Sequence, residues 1–321
     1  MIEDKYKVAV VIPCYKVSGH ISTVILSLPE FIDHIIVVDD ACPESSGKIA
    51  QAIENDKITV ITHEQNQGVG GAVISGYKKA IELNCDFAVK VDGDGQMDPS
   101  YIGSLVKPLA LGKADFSKGN RFRDFQALKA MPALRLIGNN ALSFLEKGYS
   151  GYWDIMDPTN GFTAITVSML KKLNLSKIAK DYFFESNMLL ALYLQNAIIV
   201  DIQMPAIYGN EESSLKIGNT LLGFPPKLLC GLFRRIVLRY FIYDFNMASV
   251  YLLIGIPLLL FGVIFGLVHW IDSFKNGIAN TTGTVMLAVL PIILSIEMLL
   301  QAINIDISNT PKRNPDVNLL E

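Results

Sequence analysis

Histidine is scarce in this sequence, with four among 321 residues, and these show neither zinc-ligand nor catalytic-triad spacing. The stretch "GYSGY" is one residue short of a nucleophile elbow, so hydrolase chemistry has no support. Cysteine is as rare: Cys14, Cys42, Cys85 and Cys230 form no CxxC pair and no metal-ligand set. They are expected as reduced thiols packed in a cytoplasmic domain. Charge is limited too, at 18% of residues and a net −3, which gives no electrostatic reason to expect a nucleic-acid partner. The opening "MIEDKYKVAVVIP" has too short an apolar run for a signal peptide and passes straight into a strand-turn pattern. In "NQGVGGAV" the third glycine of a dinucleotide fingerprint would fall at Val73, so Gly68, Gly70 and Gly71 do not complete one.

Apolar residues, by contrast, are abundant, at 50% of the chain, and mean hydropathy is +0.34. The excess sits near the C-terminal end. Ser249 to Trp270 is 22 residues without Asp, Glu, Lys or Arg, long enough at about 1.5 Å per residue to cross a core of about 30 Å. Val285 to Ile305 follows after a short polar loop, and the two read as an antiparallel transmembrane hairpin. Lys227, Arg234, Arg235 and Arg239 precede the first span, Lys312 and Arg313 follow the second, and only Lys275 lies in the loop. Both termini are therefore expected on the cytoplasmic side. Between Lys227 and Phe245 the basic residues fall on one helical arc and Leu229, Phe233, Ile236, Tyr240 and Phe241 on another, the pattern of a helix lying in the interface. Its arginines suit either anionic headgroups or a lipid phosphate. Within the spans, Gly262 and Gly266 allow close helix approach. Glu297, Gln301 and Asn304 recur on one face, which predicts a partner helix in a homo-oligomer.

The first 115 residues alternate short β-branched runs ("KVAVVIPCY", "HIIVVDD", "ITVITH", "DFAVKVD") with segments of helical length. This predicts an α/β domain with a mainly parallel, Rossmann-like sheet whose ligands bind beyond the carboxyl ends of the strands. Pro13 and Tyr15, Asp39 and Asp40, and Asp92 and Asp94 end three of these runs. If the fourth strand continues through Gly93, Asp92 and Asp94 point to one face. Two like charges so placed are tolerable when a hard divalent cation sits between them and a phosphate.

"VVIPCYK", "IIVVDDACPESSG", "NQGVGGAV", "VDGDGQMDP", "GNRF", "DPTNGFTAI" and "YFFESNMLLAL", in this order, resemble the family-two glycosyltransferases of GT-A fold, and specifically their polyprenyl-phosphate branch (dolichol-phosphate mannosyltransferase-like). The resemblance spans nearly all of the first 220 residues, and the two C-terminal spans also look like that branch. It implies that Pro13, Tyr15, Asp39 and Asp40 hold the base and ribose of a nucleotide-sugar donor, although the family's Ser-x-Asp after that pair reads Cys42-Pro43-Glu44 here. Gly70 and Gly71 would let backbone approach the nucleotide, a structural helix-start loop being equally open. Asp92, Asp94 and Gln96 would hold Mg2+ or Mn2+ on the diphosphate, and Arg121 and Arg135 would contact phosphates, Arg135 alternatively being a solvated helix residue. Asp157 and Glu185 are the remaining acidic candidates for catalysis, as base or as orienting groups, with Glu185 alternatively a helix-start charge. Lys216, Arg234, Arg235 and Arg239 are candidates for the acceptor phosphate or the membrane.

The implied function is inverting transfer of one sugar from a UDP- or GDP-sugar to undecaprenyl phosphate or another polyprenyl phosphate at the cytoplasmic face of the inner membrane. The product would serve cell-envelope glycan synthesis. The implied layout is a glycosyltransferase domain over 1–225, a juxtamembrane helix over 226–248, two spans over 249–307 and a cytoplasmic tail over 308–321. A processive polysaccharide synthase is disfavoured because QxxRW is absent, Trp153 and Trp270 being the only tryptophans. A non-catalytic scaffold or lipid carrier with a relic nucleotide site is disfavoured by the intact Asp92 and Asp94.

Overall fold

Strand β1 (Val8–Cys14) is buried along nearly its whole length, which explains why it reads as a continuous apolar run rather than an alternation. Val8, Val10 and Ile12 pack on one side with helices α1 (Ile21–Leu26), α2 (Ser46–Gln51) and α4 (Ile102–Ala110). Ala9 and Val11 pack on the other with α3 (Val69–Glu82), α6 (Val167–Lys172) and α7 (Phe184–Leu194). The computed structural model describes residues 5–121, 133–205 and 217–312.

The remaining strands are β2 (His34–Asp39), β3 (Ile58–Thr62), β4 (Phe87–Lys90), β5 (Phe116–Asn120), β6 (Thr163–Thr166) and β7 (Ile199–Gln203). They form one seven-stranded sheet in the order β3-β2-β1-β4-β6-β5-β7. All neighbours are parallel except β6, which runs against both β4 and β5. The reversal has a positional consequence. A reversed strand begins at the edge where its neighbours end, so the loop entering β6 meets the loops leaving β4 and β5. The register makes this concrete: Lys90 and Lys118 both pair with Thr163, and Lys118 also pairs with Asp201. Four polar residues, Lys90, Thr163, Lys118 and Asp201, thus form a row across strands β4, β6, β5 and β7.

One expectation needs correction. Strand β4 stops at Lys90, and Asp92 lies in a connecting segment with Asp94 in a turn. Strand alternation therefore does not set their direction. The turn is shaped by the Asp94 carboxylate, which accepts from Gln96 N–H at 3.0 Å, and by Gly95 at φ 76°.

The chain divides into two compact units, residues 1–230 with 311–321, and residues 231–310. Helix α5 (Ala133–Ser150) belongs to the first, and α8 (Ile217–Val237) runs across the division into a π-helical turn over Leu238–Tyr243. The second unit is dominated by α9 (Met247–Asn276) and α10 (Thr282–Ser308), both long and apolar enough to cross a membrane, with mean hydropathies of 2.6 and 2.2. Helix α9 starts in a capping box between Asn246 and Ser249, and Gly277 in the left-handed conformation ends it. The two helices approach closely at Gly262, where a Cβ would come within 2.9 Å of the Ala288 carbonyl.

Arg235 does not face lipid. Its guanidinium is 1% exposed and donates to both Asp306 oxygens at 2.8 Å, while the Tyr240 hydroxyl donates to the same carboxylate at 2.5 Å. Its predicted role toward an acceptor phosphate or headgroup is therefore replaced by tying α8 to α10. Arg234 is exposed and Arg239 half-buried. Leu229, Phe233, Ile242, Tyr243 and Phe245 are all more than half exposed, as an interfacial segment requires.

Candidate active site

The three loops that β6 brings together enclose a polar cavity of about 140 Å³. Asp92, Asp94 and Gln96 enter it from the loop after β4, Arg121 from the end of β5, and Asn160 from the loop before β6. Four residues predicted from two separate motifs, Asp92, Asp94 and Gln96 from one and Arg121 from the other, thus meet at one place.

Behind Asp92 lies a buried cation. Lys90, 1% exposed, places Nζ 2.8 Å from Asp92 Oδ1 and 3.2 Å from Glu185 Oε1. Burial alone would depress this ammonium, but the Asp92 and Glu185 carboxylates outweigh it and hold Lys90 above its ordinary value. The pair fits only because residue 161 is glycine. A Cβ there would lie 2.3 Å from Lys90 Nζ and 3.0 Å from Asp92 Oδ2. Glu185, in the first turn of α7, is thereby engaged as a counter-ion rather than presented as a base.

Asp157 has no exposed surface. Its carboxylate accepts from Arg121 Nε at 2.9 Å and Nη2 at 3.3 Å, and from the Arg121 backbone N–H at 3.2 Å. Its backbone carbonyl accepts from Lys118 Nζ. Asp157 therefore orients Arg121, whose side chain keeps 44% of its surface exposed and lines the cavity. Burial pulls the Lys118 ammonium down to about 8 even with Asp157, Asp201 and Glu185 nearby. Deeper still, burial pushes the Glu146 carboxyl up to about 7, against a Ser186 hydroxyl bond that favours the ion.

The carboxylates at the second strand are differently employed. Asp39 accepts from Cys42 and Gly47 N–H, each at 2.7 Å. Asp40 accepts from Gln67 and Gly68 N–H, each at 2.8 Å, and contacts His63 Nδ1 at 2.7 Å. Both are buried and fix the loops after β2 and β3. Tyr15 is 46% exposed and Pro13 partly so. At the start of α3, a Cβ on Gly70 would come within 2.5 Å of the Ala179 carbonyl, and one on Gly71 within 2.6 Å of Gln67 Cβ. Those glycines admit close packing of the chain around them. The Arg135 side chain and all of Lys216 lie outside the described residues.

The donor set suits a hard divalent ion: two carboxylates and a carboxamide opening on one cavity. Among the described residues no group of three His, Cys, Asp or Glu side chains forms a metal cage. A site of two carboxylates that leaves its other positions to phosphate oxygens and water matches the way Mg2+ is usually held.

Lys90, Lys118, Asn160 and Gly161 were not singled out from sequence. Lys90 had a signal, since it is the one charge inside the run "FAVKV", and a charge in a strand buried on both faces needs a partner. Lys118 had a weaker one in "FSKGN".

Carboxylates and an arginine thus line a cavity beyond the strand ends of a mixed α/β sheet, an arrangement suited to phosphate-bearing ligands. The glycosyl transferase family 2 model matches residues 9–173, and the chain belongs to that family. Over 229 residues it is 33% identical to the UDP-N-acetylglucosamine--dolichyl-phosphate N-acetylglucosaminyltransferase of Methanococcus voltae, covering 67% of this chain and 90% of that protein. Over 190 residues it is 28% identical to the undecaprenyl-phosphate mannosyltransferase of Micrococcus luteus, covering 57% of this chain and 76% of that protein. Glucosyl-3-phosphoglycerate synthase from Mycobacterium tuberculosis, solved with Mn2+, UDP and glucosyl-3-phosphoglycerate, aligns with a TM-score of 0.52 at 19% identity, over 73% of this chain and 81% of that one. That likeness is one of fold, and it is the GT-A fold.

Proposed function

We propose that this chain transfers one sugar from a nucleotide sugar to a polyprenyl phosphate, with inversion at the anomeric carbon. The observation that carries the reading is the meeting of Asp92, Asp94, Gln96 and Arg121 in one cavity. It is supported by relatives named for transfer to dolichyl and undecaprenyl phosphates and by two helices long enough to span a bilayer.

Chemistry at each position follows from charge. An oxygen of the lipid phosphate attacks the sugar C1, a C1–O bond forms, and the bond from C1 to the nucleoside diphosphate breaks with its electron pair leaving on the diphosphate. A phosphate monoester with a second pKa of about 6 is largely dianionic at neutral pH and needs no general base. This accords with Asp157 and Glu185 being engaged by Arg121 and Lys90. Asp92 and Asp94 would hold Mg2+ or Mn2+, with Gln96 beside them, and the ion would neutralise charge developing on the diphosphate. Arg121 adds a guanidinium held in place by Asp157. Asp39, Asp40, Pro13 and Tyr15 shape the nucleotide end, the two aspartates through the loops they fix. Arg234, Arg239, Lys216 and Arg135 supply positive charge toward headgroups or phosphates.

Basic residues flank the two spans while the connecting loop holds only Lys275, which supports a reading with both termini on the cytoplasmic side of the inner membrane. The polar face of the hairpin self-associates, since exposed Glu297 and Gln301, 3.0 Å apart, lie well inside a 27-residue span. An unchanged oligomeric mass of the Glu297→Leu protein in detergent would remove that part. The main test incubates the full chain in detergent with a panel of UDP- and GDP-sugars, Mn2+ and polyprenyl phosphate. A chloroform-soluble glycolipid that appears with one donor and disappears with EDTA is expected; no glycolipid from any donor overturns the reading.

A further inference from the structure

The loop entering β6 places one more polar group at the cavity. Asn160 is 3% exposed and lines it. Its Oδ1 accepts from Phe162 N–H at 3.0 Å, which fixes the amide: the opposite arm must be the Nδ2 donor. That donor is buried and has no hydrogen-bond partner among the described residues. Nδ2 lies beside Gly119, where a Cβ would come within 2.6 Å of it and 2.5 Å of Met204 Sδ. Met204 lines the same cavity. A buried amide donor without an acceptor is destabilising, and native structures retain one where something else supplies the oxygen.

We propose that Asn160 is a specificity-determining residue for the transferred sugar, its Nδ2 donating to a hydroxyl or acetamido oxygen of the sugar ring. This rests on the transfer reaction proposed above. The assignment to sugar rather than diphosphate follows from charge. Arg121 and an ion at Asp92 and Asp94 answer the phosphate oxygens, whereas a neutral carboxamide matches a neutral oxygen. The sequence marks this position only as the Asn of "DPTNGF", where the neighbouring glycine leaves room for Lys90.

Two variants separate the roles of the two arms. Asn160→Asp keeps an oxygen for the Phe162 N–H and removes the donor; Asn160→Ala removes both. The full chain in detergent is assayed with its best donor and with deoxy analogues of that donor, alongside binding of the sugar-free nucleoside diphosphate with Mn2+ and thermal unfolding. The expected result is a fall in kcat/KM of about 10- to 100-fold for both variants, with nucleoside diphosphate affinity within about twofold of wild type. One deoxy analogue should lower wild-type kcat/KM by a similar factor and cost the variants nothing further, because both changes remove the same hydrogen bond. Parallel loss of nucleoside diphosphate affinity would overturn the proposal. So would a variant as sensitive as wild type to every deoxy donor. A wild type that makes glycolipid while the variants keep its turnover and donor preference sinks the Asn160 assignment alone. A wild type that makes none sinks the transfer reaction and this assignment together.

Discussion

Arg121–Asp157 and Arg235–Asp306 are the same chemical pair set to opposite uses. Each aspartate accepts twice from its guanidinium, and each is buried. In the first, the arginine keeps 44% of its side-chain surface exposed and lines a cavity. In the second it is 1% exposed and Tyr240 completes the carboxylate's shell. Geometry of the pair alone does not reveal function. What distinguishes them is whether the cation keeps exposed surface: the open pair leaves a guanidinium on the cavity wall, and the closed pair ties two helices together.

The largest effects should come from the cavity. Asp94→Asn should lower turnover by at least about 1,000-fold, on the scale of removing a metal ligand or a transition-state charge partner, with little change in thermal stability. Glycolipid formation beside a melting curve reads both. Asp306→Ala should do the reverse. It leaves Arg235 buried without its counter-charge, costing about 3–5 kcal/mol, and should lower the melting temperature in detergent. Arg235→Met with Asp306→Leu should recover most of that loss, because replacing a buried pair by apolar groups of similar volume is often neutral. If the double variant melts as low as the single one, the closed pair has a role beyond packing.

Arg121→Lys sharpens the contrast. It keeps the charge while losing the planar fork that Asp157 orients, so kcat should drop by about 100-fold while the protein melts within a few degrees of wild type. A still smaller effect tests the buried acids behind the cavity. Glu146, lifted by burial to about 7, binds a proton more tightly folded than unfolded. Its contribution is fully present below the ordinary glutamate range and is lost as pH rises through about 7. Glu146→Gln should therefore raise stability at pH 8 by about 3 kcal/mol and leave it unchanged at pH 4. Equal shifts at both pH values would show that Glu146 does not titrate there.

Much of this architecture is legible in the chain. Four short β-branched runs announce parallel strands of the sheet, and long apolar runs announce the two long helices, because burial and period act locally. Asp92, Asp94, Gln96 and Arg121 are legible through motif order. The actual direction of Asp92 and Asp94 is not, since β4 ends two residues before Asp92 and a turn takes over. Arg235 could not be sorted from Arg234 by helical arc, because its partner Asp306 is 71 residues away. The pairing of Lys90 with Lys118 through Thr163 depends on a reversed strand whose direction no local pattern records.

That reversed strand also sets an order of events. Until β6 inserts between β4 and β5, the half-sheet of β5 and β7 has no hydrogen-bonded link to the strands before it. A growing chain can thus assemble its first four parallel strands from near neighbours, while the link to β5 waits for residues 163–166 and the β5–β7 ladder for residues 199–203. Competence to react is then among the latest properties the polypeptide acquires, and a prematurely ended product would hold carboxylates without the wall that faces them.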